Sequence, residues 1–187
     1  MVFKRFTYEN GLDIIAPLKC GTRWLEQETN PMNVQLIGNP INIKHIKKET
    51  YWLYRNGRKH LLSALKTEIG GEYGYPNLNK VDEVVDSFLN DTGVHWSPNM
   101  FKFMYEHWNR FEFKPIELNN LSSLFPNIKF NPSKYNMDYF QKITNNDSVV
   151  IDIIPNDKLL KLYELIDLDK VYLDMILNGE HNPIKFI

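Results

Sequence analysis

Cysteine is nearly missing from this chain of 187 residues: Cys20 stands alone. A lone thiol excludes an intrachain disulfide framework and a cysteine-built structural zinc site. It suits a reducing compartment, so a cytoplasmic location is expected. Long apolar runs are missing as well. No stretch approaches the roughly 18 apolar residues of a membrane span, and the first six residues, MVFKRF, lack the apolar core of a secretory signal. Charge of one sign is not in excess: 22 Lys and Arg stand against 23 Asp and Glu, a net charge of −1. Nucleic acid is therefore not an expected partner. There is no internal repeat and no low-complexity tract. His, Asp and Glu nowhere fall at convincing metal-ligand spacing, so no metal is expected. The pattern G-x-x-x-x-G-K-[ST] of ordinary ATP and GTP loops is also absent.

What remains is the composition of one globular domain spanning residues 1–187, with 43% hydrophobic and 24% charged residues. Leu12–Ala16 is a short apolar run between Gly11 and Pro17 and reads as a buried strand. Trp24–Glu28 reads as a helix stopped before Pro31. Val34–Ile37 and Tyr51–Tyr54 read as further strands. Leu61, Leu62, Leu65 and Ile69 recur at helical spacing, so Arg58–Ile69 is a helix ended by Gly70-Gly71. Gly70–Asn79 reads as a mobile loop. Val81–Leu89 and Met100–Trp108 are two more helices. Phe111–Leu118 holds a strand, Leu121–Phe125 a short helix, and Lys158–Leu177 one long helix or two shorter ones. Strands alternate with helices early and helices dominate later. That order predicts an α/β three-layer core, α/β/α, with a small parallel sheet and a helical C-terminal part.

The segment Ile14-Ile15-Ala16-Pro17-Leu18-Lys19-Cys20-Gly21-Thr22-Arg23-Trp24 runs from a buried strand through a short loop into a helix. Backbone N–H groups at such a loop point at an anion. Gly21 permits close backbone approach, Thr22 offers a hydroxyl and Lys19 a point charge. The alternative is a plain strand-to-helix turn with an exposed lysine. A second unit repeats the theme. Arg55 ends the Tyr51–Tyr54 strand, and Ser63 follows eight positions later on the next helix. An arginine and a helical serine can converge on one phosphate, the guanidinium through a forked contact and the hydroxyl through one donor. Read separately, they are a surface arginine and a serine on an amphipathic helix.

Together the two units resemble the sulfotransferases. Lys19, Gly21, Thr22 and Trp24 match the 5′-phosphosulfate loop P-K-S-G-T-T-W, with Cys20 for Ser, Arg23 for the second Thr, and Leu18 inserted after Pro17. Arg55, Asn56, Arg58 and Ser63 match the 3′-phosphate motif R-[DN]-P-x-x-R-x-x-S. Here Gly57 replaces Pro and Ser63 sits two positions later than in the shortest form. Leu61-Leu62-Ser63-Ala64 resembles the L-L-S-A helix of Golgi carbohydrate sulfotransferases, and His95-Trp96-Ser97-Pro98-Asn99 resembles their H-W-x-P-Q element.

The resemblance implies a P-loop NTPase-like fold. It implies the donor 3′-phosphoadenosine 5′-phosphosulfate (PAPS) and sulfuryl transfer to a hydroxyl or amine of a small molecule or glycan. The donor would be held by Lys19, Cys20, Gly21, Thr22, Arg23, Trp24, Arg55 and Ser63, with Trp24 packing on the adenine and Lys19 also acting in catalysis. The family places a catalytic His just before the arginine-bearing strand, and His45 occupies that place; Glu49 and His95 are the reserves. His45 read alone is a loop histidine beside Lys44, Lys47 and Lys48, a cluster that with Arg58 would steer an anionic donor or glycan. His60 reads as a surface residue, His107 as structural and His181 as inert. Trp96 reads as a packing residue with His95 capping a helix. Two rival classes stay open: a small kinase on the same fold, and a non-catalytic nucleotide-binding protein. Sulfotransferases are usually longer, so the acceptor cleft is expected to be open or completed by a second subunit, as in a homodimer.

Overall fold

The computed structural model describes residues 1–37, 50–70, 76–111, 113–131 and 147–180. The chain opens with a hairpin. Strand β1 (Phe3–Thr7) pairs antiparallel with β2 (Asp13–Pro17), Phe3 opposite Pro17 and Thr7 opposite Asp13. Gly11 turns the hairpin at φ 85°, a left-handed conformation that glycine adopts without a Cβ clash. Helix α1 (Thr22–Glu28) follows, then β3 (Asn33–Ile37), which pairs antiparallel with the outer side of β1. Strand β4 (Thr50–Tyr54) lies parallel beside β2 and leads into α2 (Gly57–Glu68). After α3 (Val81–Leu89) and α4 (Met100–Phe111), β5 (Lys114–Glu117) joins β4 in parallel. A 3₁₀ segment (Leu118–Leu124), α5 (Asp147–Asp152) and the 22-residue α6 (Asn156–Leu177) complete the described chain.

The sheet order is β3-β1-β2-β4-β5. The α/β class expected from the sequence is therefore present, but the sheet is mixed. Only β2, β4 and β5 are parallel, while β1 and β3 extend it antiparallel. Strand β2 runs between two neighbours and all five of its residues are buried, which explains the apolar Ile14-Ile15-Ala16 after Asp13.

Period-2 alternation sends the strand side chains to two faces. Phe3, Ile15, Trp52 and Tyr54 pack with Met100, Phe101, Met104 and Tyr105 of α4 and with Leu173 and Ile176 of α6. Phe6, Ile14, Ala16, Leu53 and Ile116 pack on the opposite side with Trp24 and Leu25 of α1 and with Leu118 and Leu121. A third cluster joins α2, α3, α5 and α6, with Leu61, Leu65, Phe88, Leu162 and Ile166 among its members. Each fully buried Leu, Ile or Phe contributes about 1.5–3 kcal/mol relative to exposure.

Polar anchors fix both ends of this core. At the start of β2, Asp13 is buried and receives a fork from Arg5, Nε at 2.9 Å and Nη2 at 2.7 Å, together with the Thr50 hydroxyl at 2.8 Å. Asp169 of α6 caps α4 by accepting from the amides of Phe101 (2.7 Å) and Lys102 (2.8 Å). Burial pushes the Asp169 carboxyl up to about 6, against the pull of those two hydrogen bonds. Gly57 opens α2 at its closest approach to α6: a Cβ there would stand 2.7 Å from Cγ2 of Ile166. Among the described residues no helix is long and apolar enough to cross a membrane.

Candidate anion site at the carboxyl edge of the sheet

Parallel pairing of β2 with β4 brings two strand ends side by side, so the loop 18–21 after Pro17 lies next to Arg55 after Tyr54. The guanidinium of Arg55 donates from Nη1 to the Lys19 carbonyl at 3.3 Å. The two motifs read separately in the sequence therefore meet. The loop is tightly turned, with Lys19 at φ 67° and Gly21 at φ 73°. A left-handed lysine costs on the order of 1–2 kcal/mol, and surrounding contacts hold it there. The Cys20 amide donates to the Pro17 carbonyl at 3.2 Å. His60, from the first turns of α2, donates Nε2 to the Leu18 carbonyl at 2.8 Å.

His60 is 0% exposed, which corrects its reading as a surface residue. Burial drops its pKa to about 4, with Arg55 and Lys19 adding to that fall. Burial therefore keeps the ring neutral near pH 7, and the bond to the Leu18 carbonyl fixes the single proton on Nε2.

Cations crowd this loop. Lys19 is pushed down to about 8, first by burial and then by the positive charges of Arg23 and Arg55; Glu68 opposes them. Arg23 lies in the first turn of α1, four residues after Lys19, and is exposed. Positive charge gathered at a strand-end loop favours an anionic ligand.

A third segment closes on the same loop. The Leu18 amide donates to the Val2 carbonyl at 3.1 Å, and the Val2 amide donates to the Val94 carbonyl at 3.0 Å. The backbone of one residue just before β1 thus ties the loop to the residue preceding His95. The His95 ring turns to Glu68 at the end of α2, Nδ1 to Oε1 at 2.7 Å. The His95 hydrogen bond holds the Glu68 carboxyl below its usual range, and Lys19 adds to the effect. Trp96 packs against Phe88, ring centroids 5.4 Å apart, as its reading as a packing residue anticipates. Where His95 is expected to cap a helix, its ring lies instead on the Glu68 carboxylate. The turn before α4 is held by the Ser97 hydroxyl, which accepts from the Asn99 amide at 3.1 Å.

Several expected donor-site residues are placed otherwise. Trp24 is 1% exposed and lies edge-on to Phe125 (5.6 Å) and Phe130 (5.0 Å), so it belongs to the core and offers no face to an adenine. Cys20 is likewise in the core and fully buried, so its side chain does not reach a ligand, and burial keeps the thiol protonated, pushed up to about 12. The Thr22 side chain is largely buried. The Cβ direction of Gly21 is covered by Leu118, whose Cδ1 would lie 2.8 Å from a Cβ. At Gly21 the close approach is therefore made by the 3₁₀ segment. Arg58 turns away to α6, stacking over Tyr163 at 4.5 Å with Asp167 at 3.6 Å. Ser63 is half-buried on α2, three residues after His60 and so on a neighbouring part of the helix surface.

His107 is structural as expected, its Nδ1 at 2.7 Å from the Phe103 carbonyl and its ring beside Trp52. His45, with Lys44, Lys47, Lys48 and Glu49, lies outside the described residues, as do His181 and residues 71–75 of the expected mobile loop. Among the described residues no group of three or more His, Cys, Asp or Glu could hold a metal ion.

Sequence reading missed Glu68 and Val2. Glu68 carried one faint signal: an acidic side chain in the last turn of a helix opposes the helix dipole. Val2 carried none, because it acts through its peptide. No protein-family model matches the chain, and no curated protein or solved structure matches it.

Proposed function

We propose that this chain binds PAPS and transfers its sulfuryl group to an acceptor hydroxyl or amine by in-line displacement, as a sulfotransferase-like enzyme on a P-loop-type domain. The observation that carries the reading is the meeting of the two phosphate motifs, Arg55 on the Lys19 carbonyl at 3.3 Å, inside a cluster of three cations. Ligands in open α/β sheets bind at the carboxyl ends of the parallel strands, and that is the edge on which Lys19 and Arg55 lie.

In this reading the Lys19 ammonium meets the phosphate oxygen that leaves the sulfur, and the amides of Lys19, Gly21, Thr22 and Arg23 line the 5′ side, the Cys20 amide being held by the Pro17 carbonyl. The Arg23 guanidinium faces the same phosphate from α1. Arg55, with the Ser63 hydroxyl, takes the 3′-phosphate. Cys20 closes the loop through its amide on the Pro17 carbonyl, and Trp24 supports the loop from the core rather than stacking on the base. The chemistry asked of these groups is charge stabilisation on the leaving phosphate, an electrostatic task.

The test is a thermal-shift comparison of the desulfated product, 3′-phosphoadenosine 5′-phosphate (PAP), with ATP. PAP at about a hundredfold excess over its Kd stabilises by about 2.7 kcal/mol, which raises the midpoint by several degrees, while ATP does far less. Equal shifts with both nucleotides would favour a kinase-like site and overturn the 3′-phosphate assignment.

A further inference from the structure

Resting on the PAPS reading, we propose that His95 is the general base that takes the acceptor proton and that Glu68 is its positioning residue. The pair stands on geometry. A carboxylate can only accept, so at 2.7 Å the Glu68 Oε1 fixes the proton on His95 Nδ1. The other ring nitrogen, Nε2, is then the basic one, and it has no partner among the described residues. The imidazolium formed after proton transfer is stabilised by the same carboxylate, the logic of a base oriented by a third group.

The pair also sits beside the leaving-group side of the site. Glu68 is close enough to Lys19 for each to shift the other. His95 follows Val94, which is tied through the Val2 peptide to Leu18, the neighbour of Lys19. The His95 side chain is 26% exposed, so a substrate can reach the ring. The other described histidines are spent elsewhere: His60 is fully buried with Nε2 on Leu18, and His107 is packed beside Trp52 with Nδ1 on Phe103.

In the step, the acceptor O–H gives its proton to His95 Nε2 as the oxygen bonds to sulfur. The bond from sulfur to the 5′-phosphate oxygen breaks, and its electron pair stays on that oxygen, beside Lys19. Products are the sulfated acceptor, or sulfate when water is the acceptor, together with PAP and a protonated His95.

The experiment follows PAP release from PAPS, with water alone and with a phenol, a disaccharide and an amine as acceptors, beside PAP affinity measured separately. The wild-type chain is expected to bind PAP and to release it from PAPS with at least one acceptor. His95→Gln, which keeps a donor for Glu68, is expected to release PAP at least a hundredfold more slowly with its PAP Kd within twofold. Glu68→Gln is expected to slow release about tenfold through kcat, with KM for PAPS and the PAP Kd unchanged, a split that a merely structural contact would not give. Release by His95→Gln within threefold of wild type would overturn the assignment. So would a wild-type chain that binds PAP yet releases none from PAPS. A chain that does not bind PAP at all would instead remove the PAPS reading on which the assignment rests.

Discussion

His60 reaches from α2 to hold the Leu18 carbonyl at 2.8 Å, so the helix that follows Arg55 also grips the loop that precedes Gly21. The hydrogen bond couples the two phosphate motifs through a ring with no exposed surface. His60→Ala is expected to lower stability by about 2–4 kcal/mol, from lost packing and an orphaned carbonyl. His60→Gln, which can still donate to Leu18, is expected to recover most of the PAP affinity that His60→Ala loses. Urea titration and PAP calorimetry on both variants check this; equal PAP affinities for the two would remove the coupling role.

Lys19 predicts a trade between stability and binding. Its folded pKa of about 8 lies below the ordinary 10.5. A depressed cation binds fewer protons in the folded than in the unfolded chain, so its contribution to stability is complete only above about pH 10.5. That contribution is lost as pH falls through about 8. At neutral pH without ligand, Lys19→Met is therefore expected to melt higher than wild type, by on the order of 2–4 °C for each kcal/mol relieved. The difference should shrink between pH 8 and 10.5, and the PAP shift should vanish. Melting curves across that range, with and without PAP, decide it; a variant that melts lower at pH 7 would contradict the cation crowding.

Arg55 separates charge from fork geometry. Arg55→Lys keeps a cation but loses the planar pair of donors. Arg55→Ala is expected to abolish the PAP shift, and Arg55→Lys to weaken PAP binding by tenfold or more while leaving adenosine 5′-phosphate binding less affected. A PAP Kd unchanged in Arg55→Ala would refute the 3′-phosphate role.

Gly57 carries a packing prediction. Its motif position holds proline in the sulfotransferases it resembles, yet any Cβ here meets the β-branched Ile166 at 2.7 Å. Gly57→Ala is expected to cost about 1–3 kcal/mol as an overpacked contact. Pairing it with Ile166→Val keeps Cγ2, so the loss should persist, whereas Gly57→Ala with Ile166→Ala should recover part of it in a double-mutant cycle.

The elements with one clear period were legible in the sequence. Val81–Leu89 is a helix over the expected residues, and the Tyr51–Tyr54 strand is extended only by Thr50. Strand β1 was not legible because Phe3 and Phe6 have opposite parity: each faces a different side of the sheet, which erases period-2 alternation. The hairpin it makes with β2 turned an expected parallel sheet into a mixed one. At the candidate site, Lys19 and Arg55 were legible because strand ends followed by helices mark ligand edges. The burial of Trp24 and Cys20 was not, since the Phe125, Phe130 and Leu118 that cover this side come from a segment a hundred residues later in the chain. Motif spacing says which residues share a loop, but not which face of that loop the rest of the chain will cover.

The Val2 peptide has a consequence for how the site comes into being. It bridges Leu18 on one side and Val94 on the other, so the hairpin that carries the loop is tied to the far half of the chain only when the segment before His95 has docked. Contacts of such high sequence separation form late in folding. A chain can therefore complete the β1–β2 hairpin early, while the loop lacks Arg55 and His60 until β4 and α2 have packed, and the hairpin lacks its Val94 tie until the segment before His95 has followed. Anion affinity should then report the last stage of assembly rather than the first.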